Sequence, residues 1–134
     1  MRFAGLTVIA SSCAAREANS AEAAGIRVER SELRQRTLNV PVASPLQRRD
    51  KPQLELELRL RDVPRGVAIP LSCEWRAPNG EARYHNHWHT KTITHDPWPT
   101  HCRQTFDTHD STGTWQVVML QSGRELGSEQ FVLE

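Results

Sequence analysis

Residues 54–61 read Leu-Glu-Leu-Glu-Leu-Arg-Leu-Arg. A period of two puts every leucine on one face and charges of both signs on the other, which a β-strand satisfies and a helix of 3.6 residues per turn does not. So one-sided a strand belongs to an antiparallel sheet with one wet face and one face on a core. A chain of 134 residues has room for one such core. The rest of the sequence must therefore supply the layer that covers the leucines.

It does so in short alternating runs. Ile26–Arg30 and Leu38–Val42 read as edge strands, the second because Pro41 lacks a ladder donor. After the turn Asp62–Gly66, the run Val67–Arg76 forms a strand that sends Cys73 and Trp75, two residues apart, to the core face. Pro78-Asn79-Gly80 reads as a hairpin of type I′, with Asn-Gly taking the positive φ angles. The following strand, Glu81 to about Ile93, puts Tyr84 and Trp88 on one face and His85, His87 and His89 on the other. Asp96-Pro97-Trp98-Pro99 is a proline-punctuated connection, Thr100–Phe106 a strand carrying Cys102, and Thr114–Leu120 with Glu125–Leu133 a closing hairpin. About seven short strands with regularly spaced turns predict an all-β, antiparallel sandwich over residues 26–134.

The chain has three cysteines, Cys13, Cys73 and Cys102, which divide into one anchor and one disulfide. A Cys73–Cys102 bond would join two strands across or along the core, and structural disulfides persist in oxidising compartments. Upstream, Met1-Arg2 is a short basic start, Phe3–Ala10 is apolar, and Ala10-Ser11-Ser12 sets small residues before Cys13. Residues 1–13 resemble a bacterial lipoprotein signal. The resemblance implies acylation of Cys13 and, with Ala14 next, outer-membrane anchoring. Residues 14–25 hold no large apolar side chain and read as a flexible tether with transient helix. The expected location is the cell envelope, on the periplasmic or surface side.

The set Trp75, Pro78-Asn79-Gly80, Gly113-Thr114-Trp115-Gln116-Val117, Gly123-Arg124-Glu125-Leu126 and Phe131-Val132-Leu133 resembles an uncharacterised bacterial envelope domain family. That family is of immunoglobulin-like sandwich type. The likeness spans about Ile26 to Leu133 and implies a fold but no activity. The chain departs from antibody-type domains in two respects: Trp75 follows Cys73 by two residues instead of a strand later, and the two cysteines lie too close in sequence for the usual inter-sheet bond.

Lys+Arg total 17 against 16 Asp+Glu, a net charge of +1, so no long-range field steers the protein to nucleic acid. The candidate site is His85-x-His87-x-His89, three imidazoles about 6 to 7 Å apart on one strand face, able to share Zn²⁺ or Cu²⁺ with His95, His101, His109 or Asp96 nearby. Clustered imidazoles can also sense acid. Ser72, Ser111 and Ser122 with Asp107 or Asp110 lack a strained nucleophile turn, and Glu55 and Glu57 sit on a solvated face, so no catalytic residue is assigned. Trp98, between two prolines, is the candidate partner contact. The expectation is a non-catalytic domain without a cofactor. It would be held to the membrane by its lipid and would bind another envelope protein through its edge strands and the Trp98 loop. The alternative is a metal-binding module using the three histidines.

Overall fold

The computed structural model describes residues 16–43 and 45–134. The segment read as a lipoprotein signal, with Cys13, lies outside the described residues. In chain order the elements are a one-turn helix α1 (Ser20–Ala23), then β1 (Arg27–Gln35), β2 (Val40–Pro41), β3 (Gln53–Arg61), β4 (Pro70–Arg76), β5 (Ala82–His89), β6 (Trp98–Thr105), β7 (Gly113–Gln121) and β8 (Arg124–Leu133). They form two four-stranded sheets, ordered β2-β1-β3-β6 and β5-β4-β7-β8, with every pairing between these strands antiparallel. Among the described residues eight strands form where about seven were expected, the two-residue β2 being the smallest.

Leu54, Leu56, Leu58 and Leu60 of β3 are all completely buried, as the alternation requires. Removing a leucine side chain from water contributes about 1.5 to 3 kcal/mol. The facing sheet contributes Trp75, Trp115, Val117, Met119 and Phe131. Phe106 lies at the hub, with ring centroids 5.1 Å from Trp115, 5.3 Å from Phe131 and 5.8 Å from both Trp75 and Tyr84. Buried indoles need acceptors: Trp75 Nε1 donates to Asn86 Oδ1 at 2.7 Å, and Trp115 Nε1 to the Ser111 carbonyl at 2.8 Å.

The alternation of Ile26–Arg30 continues to Gln35 because of a bulge between Val28 and Arg30. Val28 and Leu33 are an odd number of residues apart, so an unbroken strand could not turn both inward. The Asn79-Gly80 turn also differs from expectation. Gly80 has φ +89° but Asn79 is not among the positive-φ residues, and Ala77 and Gly80 are joined by a 2.8 Å backbone bond. Pro78 favours the first central position of an ordinary type I turn, so the left-handed residue falls after the turn. The type I′ pair is instead Ser122-Gly123, with φ +49° and +82°.

Cys73 of β4 and Cys102 of β6 are bonded with Cα atoms 6.6 Å apart, and those strands belong to different sheets. The bond is therefore inter-sheet, contrary to the expectation that the cysteines lie too close in sequence. Only β5 separates β4 from the crossing strand β6, so 29 residues suffice. Closing a loop of that size contributes about 3 to 4 kcal/mol.

The stretch expected to be a free tether packs from Arg16 onward. Ala18 is 8% exposed and Ala23 fully buried, and Ala68 brackets the segment by donating to the Arg16 carbonyl and accepting from Ala18 N–H, both at 2.8 Å. Asn19 and Glu22 form a capping box on α1, with Arg16 on Glu22. Arg124 of β8 donates to the carbonyls of Ala23 at 3.0 Å and Ile26 at 3.2 Å. Small alanines let the backbone approach closely, and hydrogen bonds replace the apolar bulk that the composition lacks.

Candidate functional site

The two flanks of the sandwich are finished differently. Along the flank where β1 meets β8, Ser31 Oγ donates to Glu129 Oε2 at 2.7 Å. Residues 46–48 run beside the end of β8, with Leu46 N–H on the Val132 carbonyl at 2.9 Å and Glu134 N–H on the Leu46 carbonyl at 2.7 Å. A Cβ on Gly127 would stand 3.3 Å from Leu58, so the sheets touch there.

On the opposite flank the terminal strands are β5 and β6. Thr90 N–H reaches the Ile69 carbonyl and Phe106 N–H the Pro52 carbonyl, both at 3.0 Å, which sets the phase of each ladder. By antiparallel alternation the even-numbered residues of β5 from Tyr84 bond β4, and those of β6 bond β3. The backbone groups of His85, His87 and His89, and of His101 and Arg103, then point away from both sheets. Pro99 offers a carbonyl alone.

Between these edges lies a cleft of about 510 Å³, lined by residues 86–91 and 98–103. Trp88 Nε1 donates to Thr100 Oγ1 at 3.3 Å across its floor, and the Cys73–Cys102 bond lies behind. Trp98, expected in an exposed connecting loop, is instead the first residue of β6, paired with Leu60 and half-buried, its ring 4.7 Å from that of His95. The ionisable groups of the lining are His87, His89, Lys91, His101 and Arg103, with no carboxylate among them. Carboxylates approach from behind: Glu17 lies 3.6 Å from His89, Glu55 lies 3.4 Å from Arg103, and Glu57 stands opposite His101 on β3.

Toward the other end of β5, Tyr84 OH donates to Asp110, which is 2% exposed and also accepts from Asp107 N–H at 2.8 Å. Burial first, and the bond to Asp110 second, push the Tyr84 phenol up to about 12. Asp110, considered for catalysis, is thus committed to holding the β6–β7 loop against β5.

The histidine row forms as its spacing predicts. His85, His87 and His89 are exposed on one face, and the His85 and His87 rings are parallel within 2° at 6.2 Å. The other imidazoles disperse: His95 sits against Trp98, His101 on β6, and His109 beside Asp107 at 3.3 Å. Among the described residues no three His, Cys, Asp or Glu side chains are grouped so as to hold a metal ion. Trp88, Thr100, Lys91 and Arg103 escaped the sequence reading as site residues. Trp88 shares the inward face of β5 with Tyr84, which reads as core, but an inward residue on the last strand of a sheet is covered from one side only.

No protein-family model matches the chain, and no curated protein matches it in sequence. Solved structures do match. An immunoglobulin-like protein from Pseudomonas aeruginosa superposes with a TM-score of 0.58 at 16% identity, over 81% of this chain and 96% of that one. The alkylpurine DNA glycosylase of Pseudomonas fluorescens, bound to DNA containing an abasic-site analogue, gives a TM-score of 0.52 at 14% identity, over 81% of this chain and 30% of the glycosylase. The fold is an immunoglobulin-like β-sandwich. Identities this low carry the architecture and nothing of activity.

Proposed function

We propose that this protein is a non-catalytic domain of the cell envelope that binds another envelope component through its open flank. The observation that carries the reading is the cleft of about 510 Å³ between two strand edges that no other described strand covers, walled by Trp88 and Trp98 and rimmed by Lys91, Arg103 and three histidines. Immunoglobulin-like sandwiches present surfaces from a rigid scaffold, and tryptophan with a cationic rim suits recognition better than bond cleavage. The disulfide supports an oxidising compartment, and acylation of Cys13 would tie the domain to a membrane.

The test compares the flanks inside native envelopes. A photocrosslinking residue at His101, on the cleft, should give a discrete adduct, whereas one at the exposed Gln130 of β8 should not. Adducts from Gln130 alone would overturn the assignment of the open flank.

A further inference from the structure

Sheet edges invite pairing with other chains, and folded proteins usually blunt them with proline, lysine, short strands or covering loops. Here β2 is two residues long, β6 carries Pro99, and residues 46–48 cover one end of β8. The remaining edge, β5, contains neither proline nor lysine, and its ladder irregularity lies at its start, where the partner of β4 shifts between Trp75 and Arg76. His85, His87 and His89 thus offer outward N–H and C=O groups at the repeat of about 6.6 to 7 Å that an added strand needs.

An added strand would turn alternate side chains inward, onto Trp88, Trp98 and Thr100, and outward, beside the histidine row. The inward positions meet aromatic surface. The outward ones meet Arg83, His85 and His87, with Lys91 just past the end of the strand, while His101 and Arg103 point to the outer face of the other sheet. Two carboxylates face this row: Glu74 of β4, opposite His85, is held by Arg76 at 2.9 Å, and Glu17 lies 3.6 Å from His89, so the row's positive charge rests on Arg83 and Lys91, which make no ion pair among the described residues. A second copy docking edge to edge would bring two cationic rims together, which charge disfavours. An acidic segment complements the rim.

We propose that the open flank captures an extended peptide of alternating acidic and apolar residues as a fifth strand on β5. Its backbone pairs with His85, His87 and His89, its apolar side chains lie on Trp88 and Trp98, and its carboxylates meet the cationic rim. This deepens the open-flank reading and rests on it.

The experiment titrates the full-length, oxidised protein with a short alternating Glu-Val peptide, followed by tryptophan fluorescence and by backbone amide shifts. The expected result is saturable binding with the largest shifts at His85, His87 and His89. Binding should fall at least about tenfold when the glutamates become lysines, since like charges at an interface oppose association, and should vanish when alternate peptide nitrogens are methylated. His87→Pro removes a free donor without removing a ladder bond, and should also abolish binding. The methylated peptide makes the same test without altering the protein. No saturable binding, equal binding of the lysine peptide, or undiminished binding of the methylated peptide would each overturn the proposal. Binding of an oligogalacturonate at the cleft with no response to the Glu-Val peptide would overturn strand addition while leaving the open flank as a binding site. Silence from both probes together with crosslinks from Gln130 alone would remove both readings.

Discussion

The β1–β8 flank and the β5–β6 flank close the same sandwich by opposite means. The first uses direct contact: a side-chain hydrogen bond, a backbone run beside β8, and a glycine that lets the sheets touch. The second is spanned near its cleft by a covalent bond and one tryptophan–threonine hydrogen bond, and among the described residues no strand pairs the outward backbone groups of its edges. A flank closed by packing has little left to offer a partner. A flank held by a staple can stay open, because the staple and not the packing supplies its cohesion.

The largest test of that contrast removes the staple. Cys73→Ala with Cys102→Ala should cost about 3 to 4 kcal/mol of unfolding free energy in chemical denaturation, from the lost loop constraint. Amide exchange in β5 and β6 should accelerate more than in β1 and β8. Equal acceleration on both sides would mean that the open flank does not depend on the bond.

Next comes Arg124, which ties the N-terminal segment to the packed side of the molecule. Arg124→Ala should cost about 1.5 to 3 kcal/mol, since charge-assisted bonds to the Ala23 and Ile26 carbonyls are lost. Proteolysis between Arg16 and Gly25 should rise, with β5 unaffected except at His89, which Glu17 of this segment approaches. Glu22 works in the same segment: Arg16 and the Asn19 N–H hold its carboxyl at about 2, below its ordinary 4.5. Its contribution is complete above about 4.5 and is lost as pH falls toward 2, so amide exchange at Asn19 and Glu22 should rise across that window.

The alkaline side probes the junction where the open flank ends. Tyr84 is raised from 10 to about 12, so between those values the folded state keeps a proton that the unfolded chain releases. Stability should therefore fall as pH rises through that window. Tyr84→Phe should flatten this fall, measured by denaturation midpoints. The smallest effect belongs to the rim: Lys91→Ala is an exposed change and should alter stability by less than about 0.5 kcal/mol.

Elements whose pattern is local were legible in the sequence. Leu54 to Leu60, Trp75, the closing hairpin and the histidine row all fall where a period of two sets them. Sheet membership is not local. Alternation tells which face Cys73 and Cys102 occupy but not that β4 pairs β7 while β6 pairs β3, so their spacing in sequence does not reveal an inter-sheet bond. The packing of Arg16–Gly25 was hidden because its cohesion comes from backbone bonds and alanines, which leave no apolar signature. The cleft was hidden for a related reason. Trp88 has the phase of a core residue, and only its place on the last strand of a sheet turns it into a wall.

Native-state amide exchange along β5 tests the open-flank account most directly. The account predicts alternation, with Tyr84, Asn86 and Trp88 protected by β4 and His85, His87 and His89 exchanging as solvated amides. Uniform protection of all six in the isolated protein would contradict it, because the edge would then already be covered.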